Sequence, residues 1–168
     1  MAKTEERFPG NQSVAELESY LKDMAKKIKN KLERGRVNNK AKAKAYVSMI
    51  EDVINLNYFK MDIDVYTLMS FLKEDSRRLD VEISKYEVQK KDARKAYEAL
   101  CTEPEVSEAY MIPDEWRQQR EAEQNKRNEA RQDLYAITTV IEELKREGKQ
   151  IHWLKGMICR PKGFFAKI

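Results

Sequence analysis

The groups in this chain that could do chemistry are few and widely separated. His152 is the single histidine, so one copy can build neither a histidine-based metal cluster nor a two-histidine proton relay. Flanked by Ile151 and Trp153, it reads as a packing or surface residue. Cys101 and Cys159 lack a Cys-x-x-Cys spacing, which supports neither a thioredoxin-type motif nor a disulfide framework. A cysteine nucleophile would need a base that only His152 offers. None of Gly10, Gly35, Gly148, Gly156 and Gly163 stands in a G-x-x-x-x-G-K or G-x-G-x-x-G context, and no G-x-S-x-G elbow occurs. Glu87, Glu98, Glu142 and Glu143 fall among lysines and arginines, the pattern of solvated helix faces, and the Glu-x-x-His pair of carboxylate-bridged metal bundles is absent. These residues point to no catalytic site, no cofactor and no metal, so a binding protein is expected.

Two sets of residues carry binding chemistry. From Lys22 to Lys44, ten lysines and arginines face only Asp23 and Glu33, a net of +8, and such density can neutralise phosphates. Nucleic-acid contact would fall to Lys26, Lys29, Arg34, Arg36, Lys40 and Lys44, joined by Lys155, Arg160 and Lys162 near the C-terminus. At about 100° per residue, Lys22, Lys26 and Lys29 lie on one flank of a helix and Lys27, Lys31 and Arg34 on the other. Two solvated flanks are therefore the plain alternative. A helix-turn-helix reader fits poorly, because both flanking helices are long and the second is apolar. The second set, Tyr110, Met111, Ile112, Trp116, Trp153, Phe164 and Phe165, has the large apolar and aromatic character of protein-contact residues. The C-terminal rings could equally pack on their own chain or stack on unpaired bases.

Positioning these residues requires helices. Of 168 residues 37% are charged, while glycine and proline are scarce, a composition of long solvated helices with few turns and of an all-α fold. The formal net charge is only +4, but residues 45–144 sum to −8 and residues 145–168 to +6, so the ends are basic and the middle acidic. No apolar run approaches the roughly 20 residues that span a bilayer, and the first residues carry no apolar signal region. A cytoplasmic, reducing location without membrane contact is expected.

Residues 1–12 read as a flexible arm. Ser13 stands three before Glu16, the spacing of a capping box, ahead of an apolar stripe of Val14, Leu17, Leu21, Met24, Ile28 and Leu32 that ends at Gly35. Asn38 or Asn39 then caps a second helix with Tyr46, Met49, Ile50, Val53 and Ile54 inward. The short link predicts an antiparallel basic pair over 13–61, plugged by Leu56, Tyr58, Phe59 and Met61. Residues 62–148 predict a long antiparallel two-helix, coiled-coil-like hairpin with Asp62 or Asp64 at its start. Its first seam is Met69, Leu72, Ser76, Leu79, Ile83, Tyr86, Lys90, Ala93, Tyr97 and Leu100. Its second is Trp116, Arg120, Glu123, Arg127, Ala130, Leu134, Ile137, Ile141 and Leu144. Closing the hairpin near Cys101 and Pro113 sets Lys90 beside Glu123, Tyr86 beside Arg127, and Leu79 and Ile83 toward Leu134 and Ile137. Thr102–Ile112 is a loop that either covers the tip or makes contacts, and 149–168 is an irregular basic-aromatic tail, since Pro161 forbids a continuous helix.

The expected function is a non-enzymatic α-helical adaptor or inhibitor that binds a protein partner, of which a nucleic-acid-handling machine suits the basic ends. In the same reading the hairpin presents a rigid surface to the partner or pairs with a second copy through Val81 and Val88, a homo-oligomer. The alternative is direct DNA or RNA binding by the basic pair and tail, with the hairpin serving oligomerisation.

Overall fold

A computed structural model describes residues 7–102 and 113–166. The fold is all-α with a helical hairpin. In chain order come α1 (Val14–Glu33), α2 (Lys40–Ile54), a 3-10 turn (Asn57–Lys60), α3 (Val65–Thr102), α4 (Pro113–Cys159) and α5 (Pro161–Phe164). The chain divides into two compact units: the first takes Met1–Arg78 and Glu147–Ile168, the second Leu79–Arg146.

In the first unit, the Ser13 hydroxyl accepts from the Glu16 amide at 3.2 Å, so α1 starts where the capping spacing places it. Val14, Leu17, Leu21, Ala25 and Ile28 are its buried stripe. It ends in a Schellman motif: Gly35, with φ 65°, donates to the Leu32 carbonyl at 3.2 Å, and Arg36 donates to the Lys31 carbonyl at 2.9 Å. Glycine has no Cβ to resist that left-handed conformation. Asn39 caps α2 by accepting from the Lys42 amide at 3.1 Å, and Ala43, Val47, Ile50 and Val53 turn inward. The Lys29–Glu51 ion pair at 2.9 Å links the facing surfaces of α1 and α2. Asp64 caps α3 by accepting from the Thr67 amide at 2.7 Å.

Two expectations for this unit change. Residues 8–12 are not a loose arm: Phe8 donates to the Ile158 carbonyl at 2.9 Å, Tyr66 to Gly10 at 3.0 Å and Val65 to Gln12 at 2.8 Å. Phe8 is buried, with its ring 5.5 Å from that of Tyr20. Such a segment shows no period of its own because its bonding partners belong to other elements. The C-terminal stretch is not irregular from 149 either. α4 passes through Gly148 and ends at Cys159, where Pro161 opens α5. A helix-interior glycine costs roughly 1 kcal/mol, which the burial of Ile151, Leu154, Met157 and Ile158 exceeds at about 1.5–3 kcal/mol per large apolar side chain. Gly156 lies under α5: a Cβ there would make ordinary contact with the Phe164 ring at 3.4 Å.

In the second unit the seam positions stand out from their neighbours. Leu79 and Ile141 are buried, while Ile83, Tyr86, Lys90, Ala93, Tyr97 and Leu100 of α3 and Glu123, Arg127, Ala130, Leu134, Ile137 and Leu144 of α4 are half-buried. The register differs from expectation. Lys145 pairs with Glu87 at 3.1 Å, and the Arg127 guanidinium donates to the Leu100 carbonyl at 3.3 Å. Arg127 therefore lies beside Leu100 rather than Tyr86, a slip of about two heptads. A seven-residue repeat leaves slips of whole heptads equivalent. The expected tightness of the turn had selected the wrong one. The loop expected at Thr102–Ile112, with Tyr110, Met111 and Ile112, lies outside the described residues apart from Thr102.

Candidate interaction surfaces

The two flanks of α1 meet different surroundings. Lys22, Lys26 and Lys29 recur at intervals of four and three on the flank facing α2. With Ala25, Ile50, Glu51 and Ile54 they line a groove of about 260 Å³. Ala25 and Ile50 are buried and Ile54 half-buried. Two rim lysines already have carboxylates: Lys22 pairs with Glu18 at 3.1 Å and Lys29 with Glu51 at 2.9 Å. The lysine side chains are 59% and 54% exposed, so both pairs are weakly held and exchangeable.

On the other flank, Lys27, Asn30, Lys31, Arg34 and Arg36 line an open depression of about 460 Å³. All five are exposed, and no carboxylate lines the depression. Among the described residues none of its four cations sits in an ion pair. The helical spacing aligns Lys27, Lys31 and Arg34, and the Schellman turn folds Arg36 back to them.

The sequence-derived basic set is thus split. Arg34 and Arg36 belong to the depression, Lys26 and Lys29 to the groove, and Lys40 and Lys44 are exposed on α2 but line neither. Lys155 is half-buried and Arg160 and Lys162 are exposed, again outside both. Lys27, Asn30 and Lys31 line the depression without belonging to the sequence-derived set, although the spacing already puts Lys27 and Lys31 on the flank of Arg34.

The aromatic set is drawn inward. Tyr46 of α2 has ring centroids 6.3 Å from Trp153, 5.6 Å from Phe164 and 5.7 Å from Phe165, and Trp153 meets Phe164 edge-on at 5.1 Å. Edge-to-face geometry at these distances adds to burial, so the cluster fastens α2 to the end of α4 and to α5. Trp116 of α4 is half-buried, with the Arg120 guanidinium 4.5 Å from its ring centroid. The exposed apolar side chains include Val81 at 67%, Val88 at 62% and Tyr135 at 74%.

His152 and Cys101 are exposed and Cys159 is half-buried. Among the described residues no group of three or more histidine, cysteine, aspartate or glutamate side chains could hold a metal ion, and no helix is long and apolar enough to cross a membrane. A small pocket of about 160 Å³ in the second unit is lined by Leu100, Gln119, Ala122, Glu123, Lys126 and Arg127, one carboxylate against two cations. The most perturbed titrating group is Tyr58. Burial first, then the hydrogen bond its hydroxyl donates to Asp75, pushes it far above the ordinary phenol range, and Arg78 opposes the shift. Arg78 pairs with Asp75 at 3.3 Å, so this is a structural brace between the 3-10 turn and α3. Compared with protein-family models, curated proteins and solved structures, the chain matches none.

Proposed function

We propose that the protein is a non-enzymatic, α-helical adaptor or inhibitor that takes a protein partner in the groove between α1 and α2. The observation that carries this reading is the apolar floor of Ala25, Ile50 and Ile54 beneath a row of lysines, Lys22, Lys26 and Lys29. An occupant must bring apolar side chains for the floor and carboxylates for the rim, so an acidic amphipathic segment is the matching chemistry. Its carboxylates would exchange with Glu18 and Glu51 at little cost, because exposed ion pairs contribute about 0–1 kcal/mol each. A partner that handles nucleic acid suits a protein whose adjacent flank is strongly basic.

The test is capture from nuclease-treated lysate by the full chain and by two groove variants, Lys26→Glu and Ile54→Lys, followed by titration of the captured protein. Capture that survives nuclease and drops at least tenfold in affinity in both variants, with unchanged helicity, supports the groove. Equal capture by both variants removes it.

A further inference from the structure

Independently of the groove, we propose that Lys27, Asn30, Lys31, Arg34 and Arg36 form a site for the phosphate backbone of nucleic acid. The rise from Lys27 to Arg34 is about 10 Å, long enough for the row of cations to reach more than one phosphate of a strand. Arg34 and Arg36 add guanidinium forks suited to paired phosphate oxygens, and the Asn30 side chain brings an amide donor beside them.

Cations at a helix C-terminus also satisfy its dipole. That accounts for part of this cluster only, since the dipole amounts to about half a charge against four cations with no carboxylate in the lining. The comparison within α1 makes the point, because two lysines of the opposite flank have carboxylate partners. No aromatic ring lines the depression, and the C-terminal rings are engaged with Tyr46. Contact is accordingly with the backbone, without base stacking, and is independent of sequence.

Fluorescence anisotropy of the full chain with a labelled duplex of arbitrary sequence tests this. Four phosphate contacts give a slope of log affinity against log salt near −3.6, a loss of about a hundredfold between ~50 and ~200 mM salt. Lys31→Glu with Arg34→Glu should weaken binding at least tenfold and reduce the slope by about 2. Lys22→Glu with Lys26→Glu, the same charge change on the other flank, should have a much smaller effect. Circular dichroism melts establish that both double variants are folded. Absence of binding at low salt, equal weakening by the two double variants, or binding to phosphatidylserine vesicles in preference to duplex would each overturn the proposal.

Discussion

The side chain of Tyr58 shows how one contact sets a measurable pH response. Its hydroxyl is half-buried and bonded to Asp75, so the folded protein holds the phenol proton more tightly than the unfolded chain does. A raised folded value leaves its contribution complete below the unfolded value of about 10 and removes it as pH climbs beyond that. The melting temperature should therefore fall above about pH 10. Tyr58→Phe should flatten most of that fall and cost about 1–2 kcal/mol at neutral pH, because Asp75 loses a donor in a partly buried position. Tyr20, also raised by burial, leaves a smaller residual slope. An alkaline limb identical in wild type and Tyr58→Phe would refute the assignment. Asp64 acts in the opposite sense: hydrogen bonds from Thr67 lower it, so its contribution is present above the unfolded carboxyl value and is lost as pH falls through the folded one. An aspartate cap at Asp62 or Asp64 is legible before the apolar run, and the structure selects Asp64; the Tyr58–Asp75 bond, across seventeen positions, is not legible.

At the scale of elements, signals carried by a few adjacent residues were readable and those shared between distant segments were not. Spacing alone places the Ser13 cap and the turn at Gly35, and it narrows the second cap to Asn38 or Asn39, of which Asn39 is the one that bonds Lys42. Gly35→Ala should cost about 1–2 kcal/mol by thermal melting, since φ 65° is strained for any residue with a Cβ. Nothing lies within 4 Å of that Cβ, so the loss is conformational and not steric. Register is where the period gave no guidance. In a background of Cys101→Ser and Cys159→Ser, spin labels on cysteines placed at positions 87 and 145 should lie nearer each other than labels at 86 and 127, which a two-heptad slip offsets by about 20 Å along the helices. Electron spin resonance distances read the result, and the reverse order would restore the expected pairing. The expected hairpin ends at 148, but α4 runs on to Cys159, since Ile151, Leu154 and Ile158 continue the three-and-four spacing beyond Gly148. Leu154→Ala, at a fully buried position, should destabilise the first unit by about 2–5 kcal/mol.

For the whole molecule, the first unit is made from both ends of the chain and the second from its middle. Ending the chain at Arg146 should abolish the cooperative melt of the first unit, because it removes Ile151, Leu154 and Met157 from a core in which all three are fully buried. A first unit that still melts cooperatively after this truncation would contradict the role given to that segment. Composition and periodicity alone established an all-α chain, its long helices and the heptad seams, because helix formation and amphipathic phase depend on residues within a few turns of one another. Only the tertiary structure decided which heptads meet, that the C-terminal rings close on Tyr46, and that one flank of α1 borders a groove while the other gathers its cations into an open site. These outcomes depend on which distant surfaces exclude water together, and a repeat that looks the same every seven residues leaves that choice open.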